Sequence, residues 1–290
     1  MSFRTYKDGQ ETARFIAADI SSLSVEDMLV SNVLGNLYVA VDYYNTTAYS
    51  TDGITWTAAS VGFGISWQSV TYGNGKFVAV SAYSSAAYST DGITWTATEM
   101  LTGGWGLVTY GNGKFVALAP SSSTAAYSTD GITWTQSTLP ASASWQSVTH
   151  GDGKFVAVSG YSSSNTAAYS TDGIAWTQST LPASDSWKSV TYGNGKFVAI
   201  CLNSTKAAYS ADGIAWTVTT LPRYAQWNSV TYGDGNFVTV ASNYSSAAYS
   251  TDGITWSATT IPIDARTLIS GKASTTRSVR SLFDSVAILI

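Results

Sequence analysis

Charge is scarce in this chain. Only 11% of its 290 residues are Asp, Glu, Lys or Arg, and the balance is mildly acidic, with a net charge of −4. That argues against nucleic acid or an anionic membrane as the main partner. The single cysteine, Cys201, excludes an intrachain disulfide, and its place just past an apolar run marks a small buried or half-buried residue. There is one histidine, His150, and no His/Cys/Asp group with metal-ligand spacing, so neither a metal nor another cofactor is expected. No apolar run approaches the ~18 residues needed to span a bilayer. The first residues, Met1-Ser-Phe-Arg-Thr-Tyr-Lys-Asp-Gly9, lack the apolar core of a signal peptide. Sustained helical periodicity is also missing.

A repeat fills the space. Asp-Gly-Ile-Thr/Ala-Trp occurs six times, with its aspartates at Asp52, Asp91, Asp130, Asp172, Asp212 and Asp252. The spacings are 39, 39, 42, 40 and 40 residues, and a fixed period near ~40 marks a repeat architecture. Each period holds four short runs rich in Val, Thr, Tyr, Phe and Trp, as in Trp67–Tyr72, Lys76–Val80, Ala86–Ser89 and Ile93–Thr96. Such runs read as strands. Asn74-Gly75 joins the first two and Asp91-Gly92 the last two, supplying the positive φ angles of tight hairpin turns. Four antiparallel strands per period of this length predict a propeller blade. All eleven tryptophans fall in two repeat positions, six after the Asp-Gly turn and five at the head of the first strand. Recurrence in register assigns them to blade-to-blade packing.

The segment Ser50-Thr-Asp-Gly-Ile-Thr-Trp56 and its five echoes resemble a shortened form of the Asp-box, or BNR repeat, of sialidase-type β-propellers. Paired with Tyr72-Gly-Asn-Gly-Lys-Phe-Val-Ala-Val80, they are also similar to repeats of bacteriophage tail and virion proteins. The resemblance implies a propeller in which each box aspartate hydrogen-bonds the backbone of its own turn. It implies no active site.

The expected fold is an all-β, six-bladed β-propeller over residues 28–262, with a degenerate first repeat. Two segments outside the repeat remain, an N-terminal tail at 1–27 and a C-terminal tail at 263–290. They hold five of the six arginines, and the C-terminal one ends in the apolar run Val286-Ala-Ile-Leu-Ile290. Either the tails brace the ring, or they complete a seven-fold ring, or they dock onto another virion protein or a second copy of the chain.

Chemistry is hard to place on this frame. A sialidase-like enzyme needs several arginines at one site, and only Arg223 lies within the repeats. Other glycosidases need facing carboxylates. Of the three glutamates only Glu99 lies in the repeats, most aspartates belong to boxes, Asp185 stands alone in a loop, and Asp42 has no evident partner. These absences predict a non-enzymatic protein. His150 stands where four other repeats have tyrosine, which makes it an aromatic replacement at a strand end. The recurring Lys76, Lys114, Lys154 and Lys196 would share the box face and balance its charge.

Function is therefore sought where repeats differ. In an up-down meander the strand 2–3 loops and the blade-to-blade loops, among them Pro140–Ser144, Pro182–Ser186 and Pro222–Gln226, share the face opposite the boxes. Ten of eighteen tyrosines hold repeat positions, whereas Tyr43, Tyr44, Tyr83, Tyr161, Tyr224 and Tyr244 lie in these variable loops. Asn45, Asn165, Asn203 and Arg223 accompany them. Tyrosine with Ser, Asn and Gly gives contact area at low entropic cost, and variable loops on a rigid scaffold carry binding. The expectation is a virion component, in a tail, fibre or head decoration, whose loop face binds a host-surface glycan or protein. The alternative is a purely structural virion module assembled through its tails, and behind it stand a lectin-like bacterial adhesin and a glycoside hydrolase.

Overall fold

The computed structural model describes residues 2–7, 10–16, 29–32, 37–41, 46–51, 55–60, 66–160, 164–242, 246–260, 267–270 and 286–289. It is an all-β, six-bladed propeller without a helix among the described residues, and each blade is a four-stranded antiparallel sheet. Two strands, β1 (Ser2–Lys7) and β2 (Gln10–Ile16), form a hairpin ahead of the first blade. Blade 1 holds β3 (Leu29–Asn32), β4 (Tyr38–Val41), β5 (Thr46–Ser50) and β6 (Thr57–Ser60). Blade 2 holds β7 (Trp67–Gly73), β8 (Lys76–Ser81), β9 (Ser85–Ser89) and β10 (Thr96–Glu99). Blade 3 holds β11 (Leu107–Gly111), β12 (Lys114–Leu118), β13 (Ser122–Ser128) and β14 (Thr135–Ala143). Blade 4 holds β15 (Trp145–Gly151), β16 (Lys154–Ser159), β17 (Ser164–Ser170) and β18 (Thr177–Asp185). Blade 5 holds β19 (Trp187–Gly193), β20 (Lys196–Cys201), β21 (Ser204–Ser210) and β22 (Thr217–Ala225). Blade 6 holds β23 (Trp227–Gly233), β24 (Asn236–Ala241), β25 (Ser246–Ser250) and β26 (Ser257–Thr260). First strands of successive blades stand side by side around the axis. Between blades 6 and 1 a two-stranded sheet, β27 (Thr267–Ser270) with β28 (Val286–Leu289), fills the gap, and β27 touches both β23 and β3.

The second strands explain why so little charge is needed. Phe77-Val-Ala-Val80 and its counterparts are buried on both faces, because each blade is covered by two neighbours. Trp67, Trp105, Trp145, Trp187 and Trp227 are at most 1% exposed and anchor the blade interfaces; truncating such a residue to Ala costs about 3–5 kcal/mol. Four of these indoles donate Nε1–H to a backbone carbonyl, as Trp105 does to Leu101 (2.8 Å). Cys201 is fully buried beside Trp187, and burial pushes its thiol well above its usual range.

Blades meet where a side chain is missing. A Cβ on Gly73, Gly111, Gly151 or Gly193 would overlap the ring of Tyr110, His150, Tyr192 or Tyr232 in the following blade. The Gly92 and Gly131 turns add a positive φ (72° and 75°) to the same constraint, with Gly131 seated against Val78 of blade 2. Only glycine meets both demands at once. Nearer the axis, the Ser69, Ser147 and Ser189 hydroxyls accept the Val108, Val190 and Val230 N–H groups of the next blade (3.1, 3.1 and 3.2 Å).

The boxes do what the resemblance implied at the five sites among the described residues. In blade 2 the Asp91 Oδ1 accepts N–H groups from Ile93 (2.9 Å) and Thr94 (2.7 Å). The Ser89 hydroxyl donates to the same oxygen (2.9 Å) and accepts the Gly92 N–H (2.8 Å). Blades 3 to 6 repeat the pattern around Asp130, Asp172, Asp212 and Asp252. The aspartate thus satisfies turn amides that no strand can reach.

Strands 1 and 2 turn on Asn74-Gly75 with φ of 47° and 74°. The asparagine amide then crosses to the next blade's box. Asn74 donates to Thr129 O (3.3 Å), Asn112 to Thr171 O (2.9 Å) and Asn194 to Thr251 O (3.1 Å). The first-to-second turns and the boxes therefore share one face, as the sequence led us to expect. Asp152 holds the same backbone conformation (φ 45°) but has no amide to donate.

One expectation needs correction. Pro140–Ser144, Pro182–Ser186 and Pro222–Gln226 were expected to be blade-to-blade loops, yet most of each segment extends the fourth strand. β14, β18 and β22 run nine residues, through Ala143, Asp185 and Ala225, whereas β6, β10 and β26 run four. A bulge in the fourth strand carries the chain past the proline, since β14 moves from Thr138 to Ala143 while β13 moves from Thr124 to Ser122. Proline is tolerated there because these are outermost strands.

Asp152→Asn is expected to supply the missing donor to the Ala211 carbonyl of blade 5. Thermal unfolding should rise by an amount matching about 1 kcal/mol. Asp152→Ala, which removes the charge and strains a positive φ, should lower it. An Asn variant no more stable than the parent would refute this account of the turn.

Candidate binding face

The opposite face is built from strand 2–3 turns and the ends of the fourth strands. In blade 2 the Ser84 hydroxyl donates to Gly103 O (3.0 Å) and accepts the Gly103 N–H (2.9 Å), while Met100 N–H bonds Ser84 O (3.1 Å). The turn holding Tyr83 is thus tied to the chain entering blade 3. Tyr83 N–H is also fixed by the Ser81 hydroxyl (3.2 Å), and its side chain is 62% exposed. A clamped backbone under a projecting ring loses little entropy on binding.

Blade 5 gathers three of the expected residues at one end. Asn203 turns the chain between β20 and β21 with φ 52°. The register pair Ser204↔Ala225 sets it beside Arg223 and Tyr224. Tyr224 is 65% exposed. Arg223 donates from Nη1 to the Ser246 hydroxyl of blade 6 (3.2 Å), and its carbonyl accepts the Trp227 indole N–H (3.3 Å). Arg223 and Tyr224 lie in β22, and Asn165 lies exposed in β17, so all three are strand residues and not loop residues. Tyr43, Tyr44, Asn45, Tyr161 and Tyr244 lie outside the described residues, as does Asp42.

Asp185 is not the isolated loop carboxylate expected. It ends β18, and its Oδ2 meets Lys206 Nζ at 3.0 Å and accepts the Ser204 hydroxyl (3.1 Å). Its Oδ1 accepts the Ser186 N–H (2.8 Å). Burial pushes this carboxyl upward, but the bonds from Lys206, Ser186 and Ser204 outweigh that and hold it below its usual range. The same contact raises Lys206. The pair links blades 4 and 5, as does the Lys188 ammonium donating to Gln146 Oε1 (3.1 Å). A signal existed in the repeat. Asp185 stands where blades 3 and 5 have Ala143 and Ala225, and Lys206 where blades 3 and 4 have Thr124 and Thr166.

His150 is a core aromatic. Its ring lies 4.8 Å from Phe155 and covers Gly111, and its Nε2 is buried with no hydrogen-bond partner. Burial lowers its pKa below 6.5. No group of three or more His, Cys, Asp or Glu able to hold a metal occurs among the described residues.

No family model matches the sequence, and no curated protein matches it. Solved structures match its shape. Virginiamycin B lyase from Staphylococcus aureus superposes with a TM-score of 0.75 at 13% identity, over 85% of this chain and 89% of that one. A streptogramin B lyase gives 0.76 at 13%, over 86% and 90%. YCF48 bound to a D1 peptide gives 0.65 at 18%, over 81% of each chain. At such identities the likeness establishes the propeller fold alone. It also overturns the expectation that this chain is not an enzyme. That expectation rested on missing sialidase and glycosidase constellations, and the lyases show that a propeller of this shape carries catalysis of another kind. The box resemblance to phage repeats has no counterpart among these structures.

Two acid transitions are expected in thermal stability. The box carboxyls of Asp91 and Asp252 are held below their ordinary value of 3.8, chiefly by the N–H of the residue three positions on. Their contribution is complete above that value and is lost as pH falls through the lower folded values. Burial makes folded His150 take up a proton less readily than the unfolded chain does, so stability is lost as pH falls below 6.5 until the lowered folded value is passed. His150→Tyr should abolish the upper transition and leave the lower one. Persistence of both in a pH series of melting curves would exclude His150 as the cause.

Proposed function

We propose that the ring is a recognition module of a bacteriophage particle and that its loop-bearing face binds a host-surface glycan or protein. The observation that carries this reading is the pair Tyr83 and Tyr224. They are the most exposed large apolar side chains of the described residues, at 62% and 65%, and both stand on this face above hydrogen-bonded backbone. Aromatic rings held this way suit sugar faces and peptide side chains alike. Asn203 and Arg223 in blade 5 and Asn165 in blade 4 would supply polar contacts; Tyr43, Tyr44, Asn45, Tyr161 and Tyr244 remain candidates from the sequence. The similarity of the repeats to phage tail and virion proteins supports the setting, and the peptide-bound YCF48 supports the use of such a ring for binding.

The test is binding to host cells and to a glycan array. Tyr83→Ala with Tyr224→Ala should weaken binding by about tenfold or more, the loss of about 1.4 kcal/mol or more that follows removal of an aromatic anchor. The melting temperature should not move. Lys76→Ala on the box face should leave binding intact. Unchanged binding in the double variant would refute the site. Recovery of the bound glycan or peptide in cleaved form would replace receptor binding with catalysis.

A further inference from the structure

The sheet between blades 6 and 1 has two strands where every complete blade has four. β27 occupies the place of a first strand, against β23 on one side and β3 on the other. β28 follows it as a second strand does, and its sequence Val286-Ala-Ile-Leu289 matches the second-strand pattern of Phe77-Val-Ala-Val80 or Phe197-Val-Ala-Ile200. In all six blades that strand is paired along both edges, whereas among the described residues β28 pairs along one, with β27. The missing elements are a third and a fourth strand.

Among the described residues one further antiparallel pair, β1 with β2, stands outside the blades, and it too forms a sheet of two. Their lengths of six and seven residues fall within those of third and fourth strands elsewhere. The sequence between the pair Lys7↔Gln10 is Asp8-Gly9, and Asp-Gly also stands in the sequence between strands 3 and 4 of every blade. The order is right as well. After β2, the twelve residues 17–28 lead to β3, the first strand of the next blade, and a chain of that length spans up to about 40 Å. An isolated hairpin is marginally stable in water, and an open edge recruits strands.

We propose that β1 adds to the free edge of β28 within the same molecule, with β2 outside it, to complete a seventh blade from the two ends of the chain. Residues 2–16 and 286–289 are then spent on closing the ring and do not serve as anchors for other virion proteins. The partner the edge fits is the chain's own N-terminal hairpin.

Amide exchange on the intact protein tests this. In a two-stranded antiparallel sheet only alternate amides of β28 are bonded, so slow exchange at Ala287, Ile288 and Leu289 together requires strands on both sides. All three should be slow in a particle of 30.6 kDa. Phe3→Pro and Arg4→Pro, made singly, each remove one β1 donor; the one whose N–H points away from β2 should speed the outward β28 amides by about tenfold or more while blades 2 to 5 stay protected. A permuted chain, with residue 290 joined to residue 1 by a short linker and new ends within 17–28, avoids the risk that proline prevents folding. It should remain a monomer with the same protected amides. Fast exchange at alternate β28 amides in the parent or the permuted chain would overturn the proposal. So would protection that needs a dimer and vanishes on dilution, because the strand would then come from a second copy.

Discussion

Everything in this ring depends on blades approaching closely enough for an aromatic ring to lie on a backbone. The glycines that end the first strands of blades 2 to 5 each receive Tyr or His from the following blade, in a space that a methyl group would fill. Close approach of this kind sets the wedge between neighbouring sheets and brings both faces of each second strand into contact. The apolar runs of four to five buried residues, the buried tryptophans and the small alanine pairs of the third strands follow from that spacing. Because the interior is close-packed, a change at one interface passes to the next as a change of angle.

At the two ends of the ring the turns leave backbone groups that no strand pairs, and the ends solve the problem differently. On one, Asp and Ser cap each of the five described boxes, and in blades 2, 3 and 5 an Asn reaches across to the next. On the other, hydrogen bonds run from backbone to backbone, as in Ala82 to Ser66, Gly160 to Ser144 and Leu202 to Ser186. The side-chain bonds of that face, such as Ser84 to Gly103 and Asp185 to Lys206, differ from blade to blade, so composition can vary there while the backbone pairs recur.

Most of this was legible in the sequence. The period of the Asp-Gly boxes gave the blades, Asn-Gly gave the turns, and the register of tryptophans gave the interfaces, because each residue type answers one steric or hydrogen-bonding demand. His150 was legible by its place alone. Three things were not. Pro140, Pro182 and Pro222 suggested loops, since proline in an outermost strand and proline in a loop look alike without knowledge of the neighbour. The Asp185–Lys206 pair was hidden because its members lie in different blades. Exclusion of catalysis failed because a search for missing motifs tests only the chemistries it names. Of the face itself, the sequence identified the exposed Tyr83 and Tyr224 but not the hydrogen bonds that hold them up.

The outer strands bear on how this molecule behaves in a crowd. Each fourth strand lies at the edge of its sheet, and among the described residues only single bridges, Thr138 to Ala175 and Thr180 to Ala215, cover that edge, so another ring could zip on. The three long rims of nine residues each carry a proline near the middle, and the three short rims stop at four residues. One device interrupts the donor row, and the other leaves too few donors to matter. With a net charge of only −4, electrostatic repulsion does little to keep copies apart. Rim geometry takes over that duty, so many rings can stand side by side at high density without fusing into a continuous sheet.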